Sequence, residues 1–120
     1  MSSCNNENAN EYFKRGIANI DSSDFKNVVI NFNKAIELKN NFPEAFFDRG
    51  IAEYNLEKSQ EAISDYSKAI ELKNNFGEAF YNRGGAKFFL GYKNDACKDW
   101  SKAGELGYAY SYEVIESYCN

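Results

Sequence analysis

Histidine is absent from the 120 residues, and with it goes the side chain most often used as general base, triad member and zinc ligand. Carboxylates and thiols remain, so catalysis would have to run without its commonest base. Proline occurs once, at Pro43, so helices can run with little interruption. No apolar run approaches the length of about 18 residues that a membrane-spanning helix needs. Positive charge is in deficit: 14 Lys and Arg stand against 18 Asp and Glu, for a net charge of −4. A nucleic-acid binder normally shows the opposite balance. The three cysteines, Cys4, Cys97 and Cys119, do not have a metal-ligand spacing, and neither a metal nor another cofactor is expected. Hydrophobic residues are plentiful, at 43% with 17% aromatic. A chain of this length holds one core and is too short for two ordinary domains.

Much of the aromatic content is periodic. The nine residues Lys34–Phe42 recur unchanged as Lys68–Phe76, an offset of 34, and a fixed period of that size dictates the whole architecture. The chain aligns without gaps as 9–42, 43–76 and 77–110, and each neighbouring pair shares 14 of 34 residues. Arg-Gly recurs at Arg15-Gly16, Arg49-Gly50 and Arg83-Gly84. A small apolar residue follows at Val28, Ala62 and Ala96, then a large aromatic at Phe32, Tyr66 and Trp100, then Ala35, Ala69 and Ala103. The last three sets have i, i+4, i+7 spacing, which places them on one face of a helix. The glycine at position 8 lets a second helix approach, and the aromatic at position 24 fills the space between hairpins.

This pattern resembles the tetratricopeptide-repeat (TPR) signature. It has an aromatic at position 4 (Tyr12, Phe46, Phe80), Gly at 8, small residues at 20 and 27, and an aromatic at 24. The three repeats cover 102 of the 120 residues, and residues 111–120 resemble the closing helix of small bacterial-type three-repeat proteins. Two positions depart from the signature: Arg replaces Leu at position 7, and Asn40, Asn74 and Tyr108 replace Pro at position 32. The resemblance implies an all-α, right-handed α-solenoid of three helical hairpins. It gives repeats over 9–42, 43–76 and 77–110 and a cap helix over 111–120, while the short polar segment 1–8 is expected to be a disordered tail. Helices are expected near 9–20, 24–38, 44–56, 59–72, 78–90, 93–106 and 109–118. Pro43 suits a first helical turn, and Asp24 and Ser59 suit N-caps. Gly91 and Gly107 suit the left-handed residue that ends a helix, with Asn40-Asn41 and Asn74-Asn75 less suited.

The repeated arginine has a partner with the same period. Position 23 holds Asp65 in the second repeat and Asp99 in the third, so Arg49 is expected to pair with Asp65 and Arg83 with Asp99. The guanidinium fork matches a carboxylate. The competing reading has these arginines hold an anion of a ligand.

For the binding surface, the resemblance points to positions 2, 5, 9, 12 and 13 of each first helix, which line a concave groove. Phe13, Phe47 and Tyr81 form one ladder there, and Ile20, Tyr54 and Phe88 another, flanked by Glu44 and Glu78. Such a groove suits an apolar or aromatic segment of a protein partner with basic flanks. Position 5 is expected to be the most exposed, putting Phe47 and Tyr81 first and Tyr54 next. Packing between neighbouring helices is the competing role, above all at positions 9 and 12. Family members that grip the C-terminal carboxylate of heat-shock chaperones use Lys, Arg and Asn at positions that here carry Phe13, Ile17, Asp48, Glu78 and Asn82. None is a cation and two are anions, which argues against that partner class.

Cys97 falls on a buried position, and Cys119 takes position 9 of a truncated fourth unit, so both face one seam. A Cys97–Cys119 disulfide would staple the cap and imply an oxidising compartment; two buried thiols in a cytosolic protein is the other reading. Ser2-Ser3-Cys4-Asn5 resembles a bacterial lipoprotein processing site without its apolar leader. The expected location is therefore cytoplasmic as written, or the envelope if a leader is removed before Cys4. Paired carboxylates such as Asp95 and Asp99 could be proposed as acid–base pairs, but charges on helix faces more often solvate and pair at i, i+4. The expected function is a non-catalytic adaptor for a peptide or helix, without nucleic-acid or small-molecule ligands. The alternative is a self-assembling or envelope-tethered scaffold, with a homo-oligomer as its product.

Overall fold

Among the described residues seven helices follow one another, α1 (Ser2–Asp21), α2 (Phe25–Leu38), α3 (Pro43–Asn55), α4 (Ser59–Leu72), α5 (Gly77–Phe89), α6 (Lys93–Glu105) and α7 (Ser111–Tyr118). The structure is a computed structural model that describes the backbone of residues 2–120 and the side chains from residue 8 onward; the readings that concern Cys4 lie outside those side chains. The helices pack as consecutive hairpins, α1 with α2, α3 with α4 and α5 with α6, and α7 closes on α6. First helices of neighbouring hairpins also touch, α1 with α3 and α3 with α5, so they form the inner face of an elongated stack measuring 53 × 26 × 20 Å.

The repeat register explains the packing. Val28, Ala62 and Ala96 are fully buried, as are Ala35, Ala69 and Ala103, and between them the position-24 aromatic reaches the glycine of the partner helix. A Cβ on Gly50 would lie 2.7 Å from the Tyr66 ring, and one on Gly84 would lie 2.7 Å from the Trp100 indole nitrogen. Only hydrogen at those positions lets the aromatic lie against the helix backbone. Trp100 Nε1 then donates to the Tyr81 carbonyl at 3.1 Å, satisfying the polar edge of the buried ring.

Three local expectations need correction. α1 begins at Ser2, ahead of the helix start expected near residue 9; no Gly or Pro interrupts residues 2–15, so nothing there breaks the helix. Ser59 is not a cap. Lys58 holds that position, and Ser59 is a buried first-turn residue of α4. The asparagines of the inter-repeat loops do not take left-handed backbone. α2 and α4 end instead on extended Lys39 and Lys73. Left-handed residues occur inside the hairpins, at Ser23, Glu57 and Gly91, all position 15 of their repeats, and again at Gly107.

Candidate functional site: a cleft on the inner face

Position 9 is Ile17 in the first repeat and Ile51 in the second, and both are half-buried; in the third it is Gly85. A Cβ built on Gly85 would meet nothing within 4 Å. The missing side chain opens a cleft of about 310 Å³ between α3 and α5. Its floor is the pair of position-24 aromatics, Tyr66 and Trp100, and Ile51 and Tyr54 of α3 face Tyr81 and Asn82 of α5 across it. Tyr54, which lines the cleft, meets Phe89 edge-on at 6.1 Å, and these rings are 39% and 69% exposed. The cleft therefore combines an apolar floor with amide and hydroxyl groups at its edges.

Acidic groups lie one to two turns before the cleft on both helices. Glu44 and Asp48 precede Ile51 on α3, and Glu78 precedes Asn82 on α5. Burial, then Glu78, then Glu44, push the Asp48 carboxyl up to about 7. Lys73 reaches Glu44 at 3.8 Å; among the described residues no cation pairs with Asp48 or Glu78 in the same way.

The ladder residues are placed less simply than the sequence suggested. Phe47, expected to be the most available, is 5% exposed. It is enclosed by Tyr66 at 5.8 Å and by Phe76, the last residue of its own repeat, at 4.8 Å. Phe13 is covered the same way by Phe32 and Phe42. Tyr81, half-buried, packs against the tilted ring of Tyr108 at 4.9 Å, and Phe88 lies between Trp100 and Tyr118. Position 5 is thus a packing position in the second repeat, because a position-34 aromatic folds back over it. Tyr54 and Tyr81 reach the cleft; Phe13, Phe47 and Phe88 do not line it.

The chain superposes on solved structures of one kind. The second repeat domain of Spaghetti, solved with the HSP90 peptide SRMEEVD, matches at a TM-score of 0.82 with 25% identity, covering 85% of this chain and 94% of that one. This is a tetratricopeptide-repeat fold. The Arabidopsis OM64 TPR domain matches at 0.90 with 24% identity over 94% of each chain. The second TPR domain of human RPAP3, solved with the HSP70 peptide SGPTIEEVD, matches at 0.86 with 20% identity over 100% and 99%. No family model matches the chain, and no curated protein does.

Within the TPR frame, position 7 links neighbouring repeats. Arg49 Nε and Nη2 donate to the two Asp65 oxygens at 2.8 and 2.6 Å, and Nη1 donates to Asn33 Oδ1 at 2.9 Å. Arg83 does the same with Asp99, at 2.8 and 2.7 Å, and with Ser67 at 3.1 Å. Each guanidinium also lies over the position-4 ring, Phe46 or Phe80. Position 11 completes the network differently in each repeat. Asn19 accepts from Asn31 at 2.7 Å in the first, and Lys87 reaches Asp99 at 3.1 Å in the third. The second places Glu53 there instead, and its carboxyl is pushed up to about 8 by burial and then by Asp65. These arginines are committed to internal carboxylates, leaving the acidic groups to set the charge of the inner face. At the far end Cys97 and Cys119 are joined as a disulfide, with Cα atoms 5.8 Å apart, which ties the end of α7 to α6.

The sequence places position 9 and Asp48 on the groove, but not the opening at Gly85 or the burial of Asp48. The signal for Gly85 was a break in the position-9 pattern Ile, Ile, Gly. For Asp48 there was none, because its burial depends on how α3 and α5 meet.

Proposed function

We propose that this chain is a non-catalytic adaptor that binds a segment of a partner protein along the inner face of its first helices, with one large apolar side chain of that segment seated in the Gly85 cleft. The cleft carries the reading. It is open, floored by aromatics, and bordered by the exposed ring of Tyr54 beside that of Phe89; tyrosine and tryptophan are among the residue types that dominate binding energy at interfaces. Several TPR domains of the same fold are solved with peptides, which supports a peptide as the class of ligand. Those of Spaghetti and RPAP3 bind acidic peptides ending in EEVD. The uncompensated carboxylates of Asp48 and Glu78 disfavour such a sequence here.

Selection of random displayed peptides on the immobilised protein tests the reading. Enriched peptides should share a large apolar residue and should lose binding to a folded Gly85→Ile variant, whose side chain fills the cleft. Peptides retained equally by that variant would overturn it. End-to-end self-assembly is the second reading, favoured by the exposure of Tyr110, Tyr112 and Tyr118 around α7. Sedimentation across concentration distinguishes the two.

A further inference from the structure

We infer that the partner segment carries a lysine or arginine beside its apolar anchor, and that Asp48 and Glu78 receive that cation while the anchor occupies the Gly85 cleft. The inference rests on the cleft being the docking site and specifies what docks there. A buried apolar cavity of about 150 Å³ is enough to hold benzene, so the 310 Å³ opening takes a whole aromatic or branched side chain. Ile51 and Asn82 both line it. Asp48 stands three residues before Ile51 and Glu78 four residues before Asn82, so each acid lies one turn, about 5.4 Å, along the same face of its helix. That separation is within reach of a long basic side chain next to a seated anchor.

The charges support the same occupant. Glu44 has Lys73 beside it, but among the described residues Asp48 and Glu78 have no ion-pair partner. Asp48 is partly withdrawn from water and faces Glu44 and Glu78, and its carboxyl is held up at about 7. A cation placed between Asp48 and Glu78 would relieve their repulsion as well as gain their attraction. A neutral segment would leave that repulsion in place, and an acidic one would add to it.

The test compares the wild-type chain with an Asp48→Lys/Glu78→Lys variant, each used to select from the same random displayed peptides after circular dichroism confirms helix content. If the doubly reversed chain does not fold, Asp48→Asn/Glu78→Gln replaces it. Wild type should enrich peptides that place Lys or Arg near an aromatic or branched apolar residue. Replacing that basic residue by Gln should weaken binding about tenfold or more. The reversed chain should enrich the same apolar residue beside Asp or Glu, and the neutral one should show no charge preference. If a Gln-substituted peptide binds wild type as well as its parent while Gly85→Ile still abolishes binding, the charge inference is overturned and the cleft reading stands. If binding survives Gly85→Ile, both are overturned.

Discussion

Arg49 holds Asp65 of its own hairpin through two parallel hydrogen bonds of 2.8 and 2.6 Å while donating a third, of 2.9 Å, to Asn33 of the hairpin before it. One side chain therefore fixes both the inner angle of a repeat and its seat on its neighbour. Removing it leaves the Asp65 carboxylate, 8% exposed, buried without its cation. Arg49→Ala is expected to cost roughly 3 kcal/mol or more, whereas Asn33→Ala, at an exposed acceptor, should cost about 1 kcal/mol or less. Urea unfolding of the single variants and of an Arg49/Asp65 double variant measures this. Additive losses for Arg49 and Asp65 would mean that the two do not act as a unit.

The buried acids give stability a pH dependence of definite sign. Asp48 titrates at about 7 and Glu53 at about 8 in the folded chain, both above the ordinary carboxylate range near 4. Between about pH 4 and pH 8 the folded state therefore holds protons that the unfolded chain has released. Stability should fall as pH rises through that window, once both groups must be charged to remain folded. Thermal melts at pH 5.5 and 8.5 should show the higher midpoint at the lower pH, and Glu53→Gln with Asp48→Asn should flatten the difference. An unchanged slope in the double variant would assign the effect to other groups.

α7 spans eight residues, well below the length of about 12 at which a helix begins to hold itself in water. Its packing on Phe88 and Trp100 through Tyr118 and the Cys97–Cys119 bond keep it in place. Closing a loop of this size stabilises by roughly 3 kcal/mol in the chain-entropy picture. Reduction should lower the unfolding midpoint. It should also raise amide exchange in 111–118 well before it does so in α3 or α4. Exchange that rises uniformly would show that α7 is not a separate unit of opening.

The repeat, the hairpins and the burial of positions 20, 24 and 27 are legible in the sequence, because close packing of two helices repeats the same demand every 34 residues. The pairing of position 7 with position 23 has the same origin, since both members recur together. What is not legible arises between repeats or at their ends. Phe47 reads as an exposed rung, because nothing local announces that Phe76, 29 residues later in sequence, closes over it. Position 15 needs left-handed backbone in every hairpin turn, yet only Gly91 displays that need; Ser23 and Glu57 adopt it with ordinary side chains. The cleft comes from a missing side chain. Gly84 and Gly85 are adjacent and look alike, but a Cβ on the first would meet Trp100 at 2.7 Å while one on the second would meet nothing within 4 Å.

That contrast supplies the most direct measurement. A peptide selected on the wild-type chain is titrated against Gly85→Ala, Gly85→Val and Gly85→Leu, each checked for a native-like melt. Gly85→Ala should fold at least as stably as wild type, since a helix-interior glycine gives up roughly 0.5–1 kcal/mol relative to alanine. Affinity should then decline step by step as the side chain grows, reaching a loss of about a hundredfold or more at Leu. If all three folded variants bind the peptide as tightly as wild type, the partner does not enter the cleft and the proposed site is wrong.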